Sequence, residues 1–222
     1  MTSGDIDATR GRLLEAAGDV FAKHGFEGTT VREICTRAGA NVAAVNYHFR
    51  DKMGLYHAVL KESLCIAAVE PGQSKSPVEA LGILITVMLR RMSEGSQRGA
   101  WHVRIMAHEL ARPTAGLDQV IEQVIGPNYV LLRRILGEIT GLPPDHETTR
   151  FCAHSVMGQV VHYAHARPVI ARLWPELTMT EGRVEQIAQH ITSFSVAGLR
   201  DIARSLKRQA KKRAGKTETS RS

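Results

Sequence analysis

GTTVREICTRAGANVAAVNYHFRDK, residues 28–52, decides how this chain is read. Thr30 and Glu33 stand three residues apart, the capping-box spacing, so a helix opens there. Val31, Ile34 and Cys35 give that helix one apolar face, and Arg32 and Arg37 lie off it. Ala38-Gly39 stops it, because glycine tolerates the left-handed turn that ends a helix. Asn41 can cap a second helix, Val42 to His48, and Asp51 a third with Lys52 at its first position. Two short helices joined by a glycine turn make either a plain corner of an all-α domain or a helix-turn-helix. In the second case the later helix enters the major groove of DNA.

Residue types on the second helix favour DNA. Ala43, Ala44 and Asn46 would let the backbone come close to base edges, and Asn46 can also bond an adenine edge through both amide groups. Val42 opens the same helix. Tyr47 and His48 can reach phosphates. A helix N-terminus carrying Lys52 suits a phosphate oxygen.

The run from Arg10 to Leu60 resembles the DNA-binding domain of TetR-family transcriptional regulators. The matching strings are LLEAAGDVFAKHGFEGTT, VREICTRAGANVAAVNYHF and DKMGLYHAVL. The family usually has a second acidic residue after the lysine, where this chain has Met53. The resemblance implies that Val42–His48 is the reading helix, with phosphate contacts from Thr30, Tyr47, His48 and Lys52. With the residue-level reading, the expected DNA-binding set is Thr30, Arg32, Asn41, Val42, Ala43, Asn46, Tyr47, His48 and Lys52. A more diffuse stretch is similar to the C-terminal ligand-sensing domain of the CecR-type branch. It comprises WHVRIMAHELARPT, VIGPNYVLLRRILGEITGLPP and VMGQVVHYAHARPVIARLW. Together the two likenesses cover about residues 10–200.

The rest of the chain reads as helices. The expected class is all-α: an N-terminal three-helix helix-turn-helix domain, then a helical ligand-binding and dimerisation domain. Periodicity and breakers predict helices over 8–24, 30–38, 42–48, 51–69, 78–94, 97–112, 117–137, 145–166 and 181–212, with a kink at Pro127. The stretch PGQSKSP, 71–77, is the expected boundary. The domains are then 1–70, 78–206 and a basic, disordered tail over 207–222.

A net charge of +7 does not come from the reading head. Residues 1–64 hold eight basic and eight acidic residues, 65–199 twelve of each, and 200–222 nine basic against two acidic. The head must therefore use placed charges such as Arg10, Arg12, Arg32, Arg50 and Lys52. The tail's plainer role is solubility, and its sharper one a non-specific contact with DNA or an anionic partner. Family geometry, placing this end far from the reading helices, favours the plainer one.

No apolar run of 18 residues suggests a membrane span, and no secretory signal precedes the first helix. Cys35, Cys65 and Cys152 fall in apolar helical stretches without a CxxC, so reduced core thiols in a cytoplasmic protein are expected. Enzyme motifs (GxSxG, P-loop, GxGxxG after a strand) are missing. No cofactor is implied. His154, His162 and His165 spread over more than ~16 Å of helix, too far for one ion, and HELAR at 108–112 lacks the second histidine of HExxH.

Two sets of residues remain. Phe151, Val156 and Val160 on one helix and Ile187, Ile191, Phe194 and Gly198 on the last are either core or the seam of an intersubunit four-helix bundle. The resemblance implies such a homodimer, reading a pseudo-palindromic operator as two half-sites. Met88, Met92, Trp101, Arg104, Ile105, His108, His154, Met157, His162 and Tyr163 are either core or the wall of a small-molecule effector pocket. Arg104 and Glu109 are a candidate ion pair. The function expected is a homodimeric repressor released from operator DNA by a small hydrophobic effector. The alternative is a helical regulator that acts as an activator or responds to metal or redox state. The effector would shift the helix from Asp51 and with it the spacing of the reading helices.

Overall fold

Polar caps and glycine turns cut this sequence into helices. The computed structural model describes residues 3–64, 74–93 and 97–219, with side chains at 6–63, 74–91, 101 and 103–209. Among the described residues every regular element is helical. In chain order these are α1 (Ser3–His24), α2 (Val31–Ala38), α3 (Val42–Phe49), α4 (Lys52–Leu64), α5 (Pro77–Ser93), α6 (Gln97–Ala111), α7 (Ala115–Val120), a π turn (Ile121–Ile125), α8 (Gly126–Thr140), α9 (Glu147–His165), α10 (Arg167–Leu173) and α11 (Glu181–Thr219).

The chain divides into two compact units. Unit 1 comprises residues 1–67 and 91–127, and unit 2 comprises 68–90 and 128–222. This packing division cuts across the linear boundary expected at 71–77, because α6 and α7 pack on α1 and α4. The expected end of the fourth helix at Val69, Cys65 and residues 71–73 of the boundary stretch lie outside the described residues.

Unit 1 is built around α1. Leu13, Ala17, Val20 and Phe21 recur at three- and four-residue spacing and are buried. Ile34 and Cys35 of α2, Val45 and Phe49 of α3, Leu55, Tyr56, Val59 and Leu60 of α4, and Trp101 and Ile105 of α6 complete the same core. Phe21, Phe26 and Tyr56 form an aromatic knot, with Tyr56 centroids 4.7 Å from Phe21 and 5.1 Å from Phe26. Each fully buried apolar side chain contributes about 1.5–3 kcal/mol by transfer from water. Truncating Phe21 to alanine should therefore cost about 3–5 kcal/mol.

In unit 2, Leu81, Leu84, Ile85, Met88 and Leu89 of α5 are buried, as are Leu132 and Leu136 of α8. Val156 and Val160 of α9 and Val184, Ile187 and Ile191 of α11 are also buried, and α9 packs on α11 and α10.

Three departures from the sequence reading have local causes. The expected kink at Pro127 is a π turn placed just before it, in which Gly126 N–H reaches Ile121 O, five residues back. Proline offers no N–H and crowds the preceding turn, and a π turn relieves that crowding without ending the helix. Residues 167–173, outside the helices expected from the sequence, form an extra helix, α10, with Pro168 in its first turn, where a missing N–H costs nothing. Finally, the segment from 207, expected to be disordered, continues α11 as far as Thr219.

Candidate DNA-binding interface and the surfaces of the second unit

Three caps hold the reading head. Thr30 Oγ1 accepts the Glu33 N–H at 3.2 Å, Asn41 Oδ1 accepts that of Ala44 at 2.9 Å, and Asp51 Oδ1 that of Gly54 at 2.7 Å. Each satisfies an orphan donor at a helix start and fixes where that helix begins. Gly39 adopts φ 59°, and its N–H and that of Ala40 close the end of α2. Arg12 Nε donates to Ala38 O at 3.2 Å, so α1 clasps the turn between α2 and α3. The Glu33 carboxylate lies 3.6 Å from His24 Nε2, tying α2 back to the end of α1.

α3 is two-faced. Val45 and Phe49 are buried and anchor it. Val42, Ala43, Asn46 and Tyr47 are exposed on the other side, Tyr47 by 73%. Thr30, Arg32 and Asn41 are exposed, while His48 and Lys52 are half-buried. The Tyr47 and His48 rings meet edge to face at 5.0 Å. Lys52 Nζ sits 4.3 Å from the centre of the Phe26 ring, and the Arg10 guanidinium 5.4 Å from that of Phe49. Both cations are thus steadied by an aromatic face. All nine residues expected to touch DNA belong to unit 1, on α2, α3 and the turns and first residue of α4 beside them.

Sequence reasoning missed the wall of this region. A groove of about 770 Å³ runs beside α3, lined by Asn41, Ala44 and Tyr47 on one side and by Ile6, Thr9 and Arg12 of α1 on the other. The charge of Arg12 was the only sequence signal for that wall.

The residues expected to line an effector pocket fall in two places. Trp101 and Ile105 are core side chains of unit 1. Trp101 Nε1 donates to Asp19 Oδ1 at 2.9 Å, and its ring lies so close to α1 that a Cβ on Gly18 would meet it at 2.4 Å. Asp19 also pairs with Arg37 at 2.5 Å. Arg104 is exposed and does not serve Glu109; that buried carboxylate accepts from Tyr56 and Thr114 instead. His108 packs against Gly25. In unit 2, Met88 is buried, Met157 and Tyr163 half-buried, and His154 exposed with Nε2 3.3 Å from Tyr129 Oη. His162 lines a groove of about 490 Å³ with Gly158, Gln159, Tyr163 and His190. The Met92 side chain lies outside the described residues.

The expected dimer residues also divide. Val156 and Val160 on α9 and Ile187 and Ile191 on α11 are buried within one chain, and the two helices pack on each other. Phe151 and Phe194 are 63% and 66% exposed, and Gly198 is exposed. Apolar residues thus stand on the outer face of the same helix pair whose inner face is core.

Comparison with known proteins follows these features. Residues 13–59 match the model of bacterial regulatory proteins of the tetR family, and residues 77–199 match that of the C-terminal domain of the transcriptional dual regulator CecR. CecR of Shigella flexneri is 27% identical over 200 residues, 82% of this chain and 86% of that one. The repressor AcnR of Corynebacterium efficiens is 33% identical over 93 residues, 42% of this chain and 45% of its own. The solved structure of the hemolysin II transcriptional regulator HlyIIR shares the fold, with a TM-score of 0.60, 24% identity and coverage of 84% of this chain and 98% of that one. No helix among the described residues is long and apolar enough to cross a membrane. With a capped reading head and a CecR-type C-terminal domain, the chain belongs to the TetR family of DNA-binding transcriptional regulators.

Proposed function

We propose that this chain is a cytoplasmic homodimeric repressor that leaves a pseudo-palindromic operator when a small hydrophobic effector binds. The observation that carries the reading is the two-faced α3. Buried Val45 and Phe49 fix it, so that exposed Val42, Ala43, Asn46 and Tyr47 meet a groove as a rigid set. Asn46 and Ala43 read base edges; Tyr47, His48, Thr30, Arg32 and Lys52 hold phosphates. A single eight-residue reading helix binds weakly alone, and two-fold pairing through Phe151, Phe194 and Gly198 presents two.

Unit 2 takes the effector in this reading. Met88 and Met157 offer adaptable apolar surface, and His154 and His162 polar ends. The Tyr56–Glu109 bond gives α6 a direct hold on α4, the helix that follows the reading head. An effector shifts DNA affinity only by preferring one spacing of the reading helices. Purified protein should select short inverted-repeat fragments from sheared genomic DNA and release them on adding a hydrophobic ligand. Selection of fragments with no common sequence would sink the regulator reading, and retention with every apolar compound class would sink the effector clause.

Activation is the second reading of direction. The relatives' names include repressor, activator and dual regulator. Redox control through Cys35 or Cys152 is disfavoured, because both are buried thiols whose pKa is raised by that burial, which suppresses the reactive thiolate.

A further inference from the structure

α11 is 39 residues long, about 58 Å, and its core-facing stripe ends well before the helix does. The buried positions Val184, Ile187, Ala188, Ile191, Val196 and Leu199 anchor its first half. Beyond Leu199, Arg200, Arg204, Lys207 and Arg208 are all exposed. They stand at i, i+4, i+7 and i+8, one face of the helix. The sequence adds Lys211, Lys212, Arg213 and Lys216, and no acidic residue falls between Arg204 and Lys216.

Two ordinary explanations fall short. Basic side chains stabilise a helix C-terminus, but that effect fades within the last turn, and α11 runs on for eleven residues past Arg208. Ion pairing along the helix is the other, and it leaves charge over: Arg204 lies 3.4 Å from Asp201, but like charges four residues apart, Arg200–Arg204 and Arg204–Arg208, still repel one another. A polyanion laid against this face would remove the repulsion and release counterions.

The chemistry selects the partner. A helix that binds an anionic membrane surface needs large apolar or aromatic residues opposite its charges. Ile202 and Leu206, opposite the charges, are half-buried, and after Leu206 this segment has no large apolar residue; its other residues are Gln, Ala, Gly, Thr, Glu and Ser. Duplex DNA needs only charge at helical spacing. The reading head, at eight basic and eight acidic residues over 1–64, supplies no net attraction of its own.

We infer that the exposed face Arg200, Arg204, Lys207 and Arg208 is a second DNA contact, which grips the phosphate backbone of any duplex without reading sequence. It requires no base edge, so a duplex of any sequence can occupy it. The inference is separable from the operator reading, because it concerns random DNA.

The test compares full-length protein with the variant carrying Arg200→Gln, Arg204→Gln, Lys207→Gln and Arg208→Gln. Glutamine keeps helix propensity, and circular dichroism checks that α11 persists. The probe is a labelled random-sequence duplex titrated between about 50 and 200 mM salt. The log–log salt slope should fall by about 3.6 units, since each of the four lost phosphate contacts removes ~0.9. Tyr47→Ala in the parent background should weaken operator and random duplex by a similar factor and leave most of that slope in place. An unchanged slope in the four-glutamine variant overturns the inference, whatever Tyr47→Ala does to the operator. Vesicles of phosphatidylglycerol that bind the parent but not the variant, with the DNA slope unchanged, overturn it in favour of a membrane surface.

Discussion

Tyr56 on α4 donates its hydroxyl to Oε1 of Glu109 on α6 at 2.5 Å, deep inside unit 1. The same carboxylate, only 1% exposed, accepts the Thr114 N–H and hydroxyl at 2.9 Å each, and Thr114 caps α7. One buried side chain therefore ties three helices. Glu109→Ala orphans all three donors and should cost about 2–4 kcal/mol. Tyr56→Phe removes one donor and should cost about 1–2 kcal/mol. Urea unfolding of both variants measures these costs; a Glu109→Ala variant as stable as the parent would refute the tie. Burial first, then Glu109, raises the Tyr56 pKa well above its usual value near 10. The folded phenol stays neutral while the unfolded one ionises above about pH 10. The stability it contributes is full below that pH and lost above it, so the parent's advantage over Tyr56→Phe should shrink in alkali.

Base reading and phosphate holding should separate on α3. Asn46→Ala should relax preference for one base pair by about 1–3 kcal/mol while leaving random-duplex binding in place. Tyr47→Ala should weaken operator and random duplex by a similar factor. Fluorescence anisotropy with both probes decides, and matching losses in the two variants would refute the division.

The reading head was legible because its signals are local. Thr30, Asn41 and Asp51 each act on a backbone N–H three residues away, and Gly39 needs only its own φ. The role of Trp101 was not, because helical spacing shows that a face is apolar and not what covers it; its partner Gly18 is 83 residues distant in the sequence. Glu109 was read as a possible partner of Arg104, five residues earlier, whereas its hydrogen bonds go to Tyr56, fifty-three residues away, and to Thr114. The end of α11 was misjudged from composition, since its run of charge resembles a solvated tail.

His57, next to Tyr56 on α4, predicts acid sensitivity. Its Nε2 is buried without a hydrogen-bond partner. Burial first, then Lys61, pushes its pKa below the usual 6.5. The folded imidazole resists protonation while the unfolded one accepts a proton below about pH 6.5. Stability from this group is thus present above that pH and lost as pH falls through the depressed folded value. His165 has the same sign, from burial and then Arg167. His57→Leu should flatten the fall in melting temperature between about pH 7 and 5. Parallel curves for variant and parent would show that His57 does not set it.

Phe194 and Ile191 lie three residues apart on α11 yet should fail differently when charged. Ile191 is 1% exposed and Phe194 66%. Ile191→Asp buries an unpaired charge and should unfold the chain. Phe194→Asp, combined with Phe151→Asp on α9, places charge on a solvent-facing surface and should leave helical content intact. If that face is the two-fold seam, the double variant sediments as a monomer where the parent is a dimer. Its operator affinity then falls by about 100-fold or more, because each half-site is held alone. A parent already monomeric at micromolar concentration would remove the seam. So would a double variant that dimerises as well as the parent, leaving the exposed phenylalanines to another partner.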